Sequence, residues 1–372
     1  MISLYIHIPF CVKKCGYCDF VSFEYDRDQL KSYLEDLKKE IVYYGGKKVH
    51  SIFIGGGTPS LLSGQEMIDL MALVYDHFDM SACQEISMES NPGTLTLENL
   101  LDYKKAGINR ISMGVQTLNN DTLKTLDRIH DVGDVYHSVK LIKEAGFDNF
   151  NMDLMFGLPG QTREMLSKTV EKMVRLEPSH ISAYSLKFEE GTAFYKKLEA
   201  GELTEIDDDL DRDMYHLIEK ILLDHNYYQY EISNFSKVGF ECKHNLVYWE
   251  KKDYIGLGLG AHSCLNNERF YNFSNFEDYH QSVSSRGHGV KGSDKIDPQE
   301  DLFEYIMLGL RLNKGLDIDA LNKRYDLDFE TRYKDEIHKL MAQALLEWSD
   351  KRLKLTSLGR DLSNQVFLQF LD

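Results

Sequence analysis

The chain has 372 residues, 42% of them hydrophobic and 28% charged, with a formal net charge of −17. That length accommodates two or three domains with a full α/β core, and with only six prolines and no low-complexity tract the composition excludes long disorder. The acidic balance argues against sequence-independent nucleic-acid binding, which needs a cationic surface, and no apolar run nears the roughly 20 residues that span a bilayer.

Residues Met1 to Phe10 lack the basic segment, long apolar core and small-residue cleavage site of a signal peptide. The expectation is therefore a cytoplasmic protein, with peripheral attachment at the inner face of the cell membrane left open. Six cysteines in a reducing compartment read as ligands or buried thiols rather than a disulfide framework.

In chain order, β-rich runs fall at Leu4–Ile8, Ser51–Ile54, Glu85–Glu89, Arg110–Val115, Asn151–Phe156 and His180–Lys187. Amphipathic helical runs separate them. Leu30, Tyr33, Leu34, Leu37, Ile41 and Tyr44 make one apolar stripe, and Met165, Leu166, Thr169, Met173 and Val174 make another. Strand–helix units in series call for a parallel sheet with right-handed crossovers. Six units fall short of a closed eight-stranded barrel, so the expected fold class is α/β, a partial (βα)6 barrel.

An acidic stretch from Glu199 to Asp213 reads as a solvated helix start. Tyr227–Asn234 reads as a further strand, followed by Cys242–Trp249 and the glycine-rich segment Gly256 to Ala261. Polar Ser284–Glu300, with Gly287, Gly289 and Gly292, reads as a linker. From Asp301 onward helical patterns surround a short strand at Leu353–Thr356, a winged-helix-like arrangement. From Glu300 to Asp372 the balance of 11 Lys/Arg against 14 Asp/Glu is not that of a DNA-reading module. The expected division is a partial barrel over residues 1–225, an extension over 226–290 and a smaller, mostly helical domain over 291–372.

Cys11-x-x-x-Cys15-x-x-Cys18 begins just after the first strand, where a parallel sheet places its functional loops. Three thiolates on so short a loop suit three irons of a [4Fe–4S] cube and leave the fourth iron open. The alternative is a zinc knuckle, which wants a fourth ligand; His7 is nearby but off the usual zinc spacing. Cys83, Cys242 and Cys264 are scattered and read as buried thiols.

The longer pattern Tyr5-x-His7-x-Pro9-Phe10-Cys11-x-x-x-Cys15-x-Tyr17-Cys18 resembles the oxygen-independent coproporphyrinogen III oxidase branch of the radical S-adenosylmethionine (SAM) superfamily. The likeness runs through roughly residues 2–265. It implies a metal set of Cys11, Cys15 and Cys18 holding a [4Fe–4S] cluster whose open iron takes the amino-acid group of SAM. Gly56, Gly57 and Thr58, within Gly55-Gly56-Gly57-Thr58-Pro59, match the glycine motif that contacts the SAM amino group. Glu89 matches the acid at the third strand's end, Gln116 a residue that meets the ribose, Arg128 one near the methionine carboxylate, and Asp153 a further SAM contact. Tyr5 and Tyr17 are expected to pack around cluster and cofactor.

Two departures bear on activity. Phe20 stands where the oxidases carry a fourth cysteine, and only ten residues precede Cys11, where the oxidases carry a longer extension. In addition, His244-Asn245-Leu246-Val247-Tyr248-Trp249 resembles the His-Asn-x-x-Tyr-Trp motif of the HemW-type haem chaperones. The resemblance implies haem as cargo, with His244, Tyr248 and Trp249 as the haem motif and His262 as the alternative ligand. The partners implied are haem and a haem-accepting respiratory protein; a homodimer is left open. The competing reading is an oxidase that decarboxylates two propionates of coproporphyrinogen III to vinyl groups. A third is chemistry on some other tetrapyrrole or metabolite. Whether the chain is an enzyme stays open, and no residue is assigned a catalytic role.

Overall fold

A computed structural model describes residues 1–371. Six parallel strands follow one another in space in sequence order: β1 (Ile2–Ile8), β2 (Val49–Gly56), β3 (Glu85–Ser90), β4 (Arg110–Gln116), β5 (Phe150–Phe156) and β6 (His180–Ser185). Each lies within two residues of its expected bounds. The helix after β1, Arg27–Tyr44, buries all six residues of its predicted stripe. Asp26 caps it by accepting from the Gln29 N–H.

The sheet is α/β and open, as expected, but it is wider than six strands. Tyr254–Leu257 pairs parallel with β1, setting Tyr5 beside Gly256, and antiparallel strands His262–Leu265, Glu268–Asn272 and Val290–Lys295 follow it. Beyond β6 the edge is Asn234–Ser236 and then Tyr228–Glu231. The expected single strand over Tyr227–Asn234 is thus a hairpin turning at Ile232 and Ser233.

Ser284–Glu300 is not a linker. It contains the end of helix Phe276–Arg286, the edge strand Val290–Lys295 and the start of helix Pro298–Arg311. Its polarity is that of a solvent-facing edge, and its glycines serve packing. Gly287 ends the helix in the left-handed region, and a Cβ on Gly289 would lie 2.4 Å from the Tyr279 ring.

Strand alternation gives the sheet two unlike faces. Leu4, Ile6, Ile52, Ile54, Met88, Ile111, Met113, Met152, Leu154 and Ile181 are fully buried on one. The other carries Ser51, Glu85, Ser87, Glu89, Arg110, Ser112, Asn151, Asp153 and His180, in register across the strands. A parallel sheet is usually apolar on both faces, so a polar one marks a chamber. At its lower end Asn151 Nδ2 donates to Ser112 Oγ (2.8 Å) and Asp153 Oδ1 (2.7 Å), and Asn151 Oδ1 lies 2.7 Å from His180 Nδ1.

The helix Lys243–Trp249 closes that lower end. Its cap residue, Cys242, gives it no side-chain hydrogen bond. Glu85 substitutes: its carboxylate accepts from the backbone N–H of Lys243 (3.0 Å) and His244 (3.1 Å) and from the Cys242 thiol (3.3 Å).

A second buried cluster, including Ile306, Leu310, Leu321, Phe329, Leu353 and Phe370, surrounds a three-stranded sheet of Leu316–Asp317, Arg352–Leu355 and Leu346–Ser349. It is tied to the barrel by Lys251, buried between Asp301 (2.8 Å) and Glu304 (2.6 Å), and by Arg311 over the Trp249 ring at 4.7 Å. Among the described residues no helix is long and apolar enough to cross a membrane.

Candidate radical SAM site

The chamber opens at the C-terminal ends of the strands into a pocket of about 430 Å³. Cys11 sits on a two-residue strand, Phe10–Cys11, paired with Phe23–Glu24. Cys15 and Cys18 lie on the turn beyond, where the Cys18 N–H donates to the Cys15 carbonyl. All three cysteines line the pocket. Thr58 Oγ1 donates to Cys11 Sγ (3.6 Å), and Arg128 Nη1 to Cys15 Sγ (3.5 Å). Burial pushes the Cys18 thiol up to about 11 and raises Cys11 as well. Three thiolates on one short loop can each take a different iron of a cubane.

The glycine motif supports this loop from below. The Gly57 N–H donates to the Ile8 carbonyl (2.9 Å) and the Thr58 N–H to the Phe10 carbonyl (2.7 Å). A Cβ on Gly57 would stand 2.5 Å from Phe10 O, and one on Gly56 would strike the His7 ring at 2.3 Å. The Gly56 N–H also donates to Glu89 Oε2 (3.0 Å), which fixes the acid beneath the pocket.

Gly56, Gly57, Glu89, Gln116, Arg128 and Asp153 all line the same pocket as the cysteines, and Tyr17 stands at its wall. Burial, with Asp153 nearby, lifts Glu89 to about 7, and burial raises Asp153 against hydrogen bonds from Tyr184, Asn151 and Ser182. Gln116 is held in the left-handed region (φ 68°) at a break in the β4–β5 register, and its buried Oε1 has no partner among the described residues. The unpartnered Gln116 amide oxygen and two carboxylates whose charge burial disfavours would gain from added donors or positive charge. SAM, with an ammonium group, a sulfonium and ribose hydroxyls, supplies them, so the residues present fit the cofactor.

Sequence reasoning missed Asn91 and Tyr184. Asn91 Nδ2 donates to Thr58 Oγ1 (2.8 Å), and its Oδ1 accepts from Arg128 Nη2 (2.6 Å), joining both cysteine-contacting side chains. Its place two residues after Glu89, before Pro92, was the available signal. Arg128 also donates to the Gly114 carbonyl (2.6 Å), so its guanidinium is pinned and its pose prepared.

Other expected residues lie elsewhere. Thr58 sits behind the cysteines, in contact with Cys11 rather than in the main pocket. Tyr5, expected around cluster and cofactor, stacks on Phe53 and lines a separate groove. His244 is buried in the closing helix, Nδ1 against Ser51 Oγ (3.0 Å) and Nε2 against Tyr248 OH (3.0 Å). Burial lowers its pKa to about 4. In this conformation neither ring nitrogen faces a ligand. Trp249 lies under Arg311 at the junction with the C-terminal region. His262 is exposed.

The chamber, glycine turn and three-cysteine loop are those of a radical SAM protein, and the profile of the Radical SAM superfamily matches residues 5–173. The profile of the HemN C-terminal domain matches residues 296–362. The chain is 37% identical to the haem chaperone HemW of Lactococcus lactis, over 99% of this chain and 97% of that one. It is 35% identical to the HemW of Bacillus subtilis (100% and 99%) and 38% identical to that of Escherichia coli (84% and 82%). The structure is similar to coproporphyrinogen III oxidase (HemN) of Escherichia coli, with a TM-score of 0.86 at 25% identity, over 100% of this chain and 90% of that one. The chain belongs to the HemW family of radical SAM proteins. Membership implies SAM and a [4Fe–4S] cluster.

Proposed function

We propose that this protein is a haem chaperone that binds haem and delivers it to a respiratory haem protein, carrying a SAM-binding [4Fe–4S] cluster. The observation that carries this reading is near-full-length similarity to haem chaperones at 33–38% identity. Phe20, in place of the oxidases' fourth cysteine, favours the same side. Cys11, Cys15 and Cys18 would hold the cluster, with Thr58 and Arg128 donating to two of the sulfurs. Glu89, Asp153 and Gln116 would accept from SAM, while Asn91 keeps Arg128 turned toward the cysteine loop. When bound, the cluster and SAM supply single-electron chemistry at the sulfonium. Exposed Phe20 in the pocket lining, with exposed Val12 and Ile129 in the small cleft on the other side of Cys15, supports delivery at a partner or the inner membrane face.

The test is anaerobic reconstitution with iron, sulfide and SAM, followed by separate assays with haem and with coproporphyrinogen III. Haem uptake and transfer to an apo-haem protein, without vinyl products, is the expected result. Vinyl-group formation would transfer the protein to the oxidase class.

A further inference from the structure

Beside the cluster pocket lies a second groove of about 330 Å³, walled by Tyr5, His7, Phe20, Tyr248, Tyr254 and His262. Its size and aromatic lining are those of a small-molecule site. Tyr248 and Tyr254 meet edge to face at 4.8 Å, and Tyr5 is backed by Phe53 at 6.4 Å. Aromatic walls with polar tips suit a planar macrocycle.

The groove contains two imidazoles, and they are not equivalent. His7 is committed at both nitrogens, to Tyr5 OH (2.9 Å) and to the Val21 carbonyl (2.8 Å). His262 is exposed, and among the described residues neither of its nitrogens has a hydrogen-bond partner. Its ring is stacked on Tyr271 across the strand pair (5.7 Å, 24°), which orients it while leaving its nitrogens free to coordinate. His244 does not reach the groove, but it is hydrogen-bonded to the hydroxyl of Tyr248, which does.

We infer that haem docks in this groove with His262 as its axial ligand, and that His244 acts as a positioning residue through Tyr248. The inference rests on the haem-chaperone reading and names the site of its cargo. It gives the His-Asn-x-x-Tyr-Trp hexapeptide a role without ligation by its own histidine: Tyr248 forms a wall, and His244 holds that wall. Asp19 and Phe20 line both the groove and the cysteine pocket. The loop leaving Cys18 is therefore a partition shared by the groove and the cysteine pocket.

The experiment uses the full chain, anaerobically reconstituted and titrated with ferric haem. Free haem is removed by gel filtration, bound haem is quantified as the pyridine complex, and ligation is read from the reduced carbon monoxide spectrum. His262→Ala is expected to weaken haem binding by at least about tenfold, in the range expected when a metal's coordination is disturbed. His262→Cys is expected to retain haem and shift its spectrum to the thiolate type, a gained signature that misfolding cannot mimic. His244→Ala is expected to weaken binding while preserving imidazole ligation. Unchanged affinity in His262→Ala with an unchanged spectrum in His262→Cys would overturn the inference alone. A wild-type protein that binds no haem would overturn the chaperone reading, and the inference with it.

Discussion

Replacing Glu85 with alanine removes the one side chain that caps the closing helix from below. Three donors, the N–H groups of Lys243 and His244 and the thiol of Cys242, end on its carboxylate. Arg110 is buried nearby: burial works against its charge, and the field of Glu85, among other groups, raises its pKa. A hydrogen bond to a charged group contributes roughly 1.5–3 kcal/mol, and a buried charge left without its compensation costs up to about 3–5 kcal/mol. These losses overlap on one carboxylate, so the expected destabilisation is about 4 kcal/mol rather than their sum. With a urea m-value of roughly 3 kcal/mol/M or more for a chain this large, the midpoint falls by about 1 M. Trp249 lies on the closing helix and Trp348 in the C-terminal sheet. A Trp348→Phe background therefore isolates fluorescence from the helix in question. Glu85→Gln keeps an acceptor oxygen and loses the charge, so it is expected to fall about halfway between. A Glu85→Ala midpoint unchanged from the parent would refute the capping argument.

Two further expectations follow from the pocket. The Glu89 carboxyl, raised from 4.5 to about 7 by burial, binds more protons folded than unfolded between those values. Stability of the ligand-free protein therefore falls as pH rises through that window, and Glu89→Gln regains up to about 3 kcal/mol at pH 8 with no gain below pH 4.5. Urea midpoints at pH 5 and 8 check it, and parallel wild-type and mutant profiles would contradict it. Gly57→Ala forces a Cβ against the Phe10 backbone, which cannot swing aside as a side chain can. It is expected to cost about 1–3 kcal/mol and to lower iron and acid-labile sulfide per chain after reconstitution; full iron loading would show that the loop yields.

The strands that carry the pocket residues were legible from local pattern, whereas the residues themselves were assigned by the family resemblance. Glu89 and Gln116 lie at the ends of two successive strands, Asp153 lies within the next, and Cys11 follows the first. Asn91 was not legible as part of the site, since its importance lies in meeting Thr58 and Arg128, 33 and 37 residues away. The edge strand Val290–Lys295 was misread because exposure on both sides removes the apolar alternation that signals a strand.

By itself, the sequence determined the six parallel strands, the apolar helix faces that cover them and the three-cysteine loop. Each is written in periodicity or spacing over a few residues. Only the tertiary structure decided that Tyr254–Leu257 flanks β1, that His244 turns inward, and that His262 shares a groove with Tyr5 and Phe20. Those outcomes depend on which buried polar groups find partners after the chain has closed on itself. Glu40 shows the principle: one buried carboxylate accepts from Gly258 N–H, Asn272 Nδ2, Tyr279 OH and Gly289 N–H, from 218 to 249 residues away. No local pattern encodes such a choice, because a desolvated carboxylate is tolerable only when all its donors arrive together.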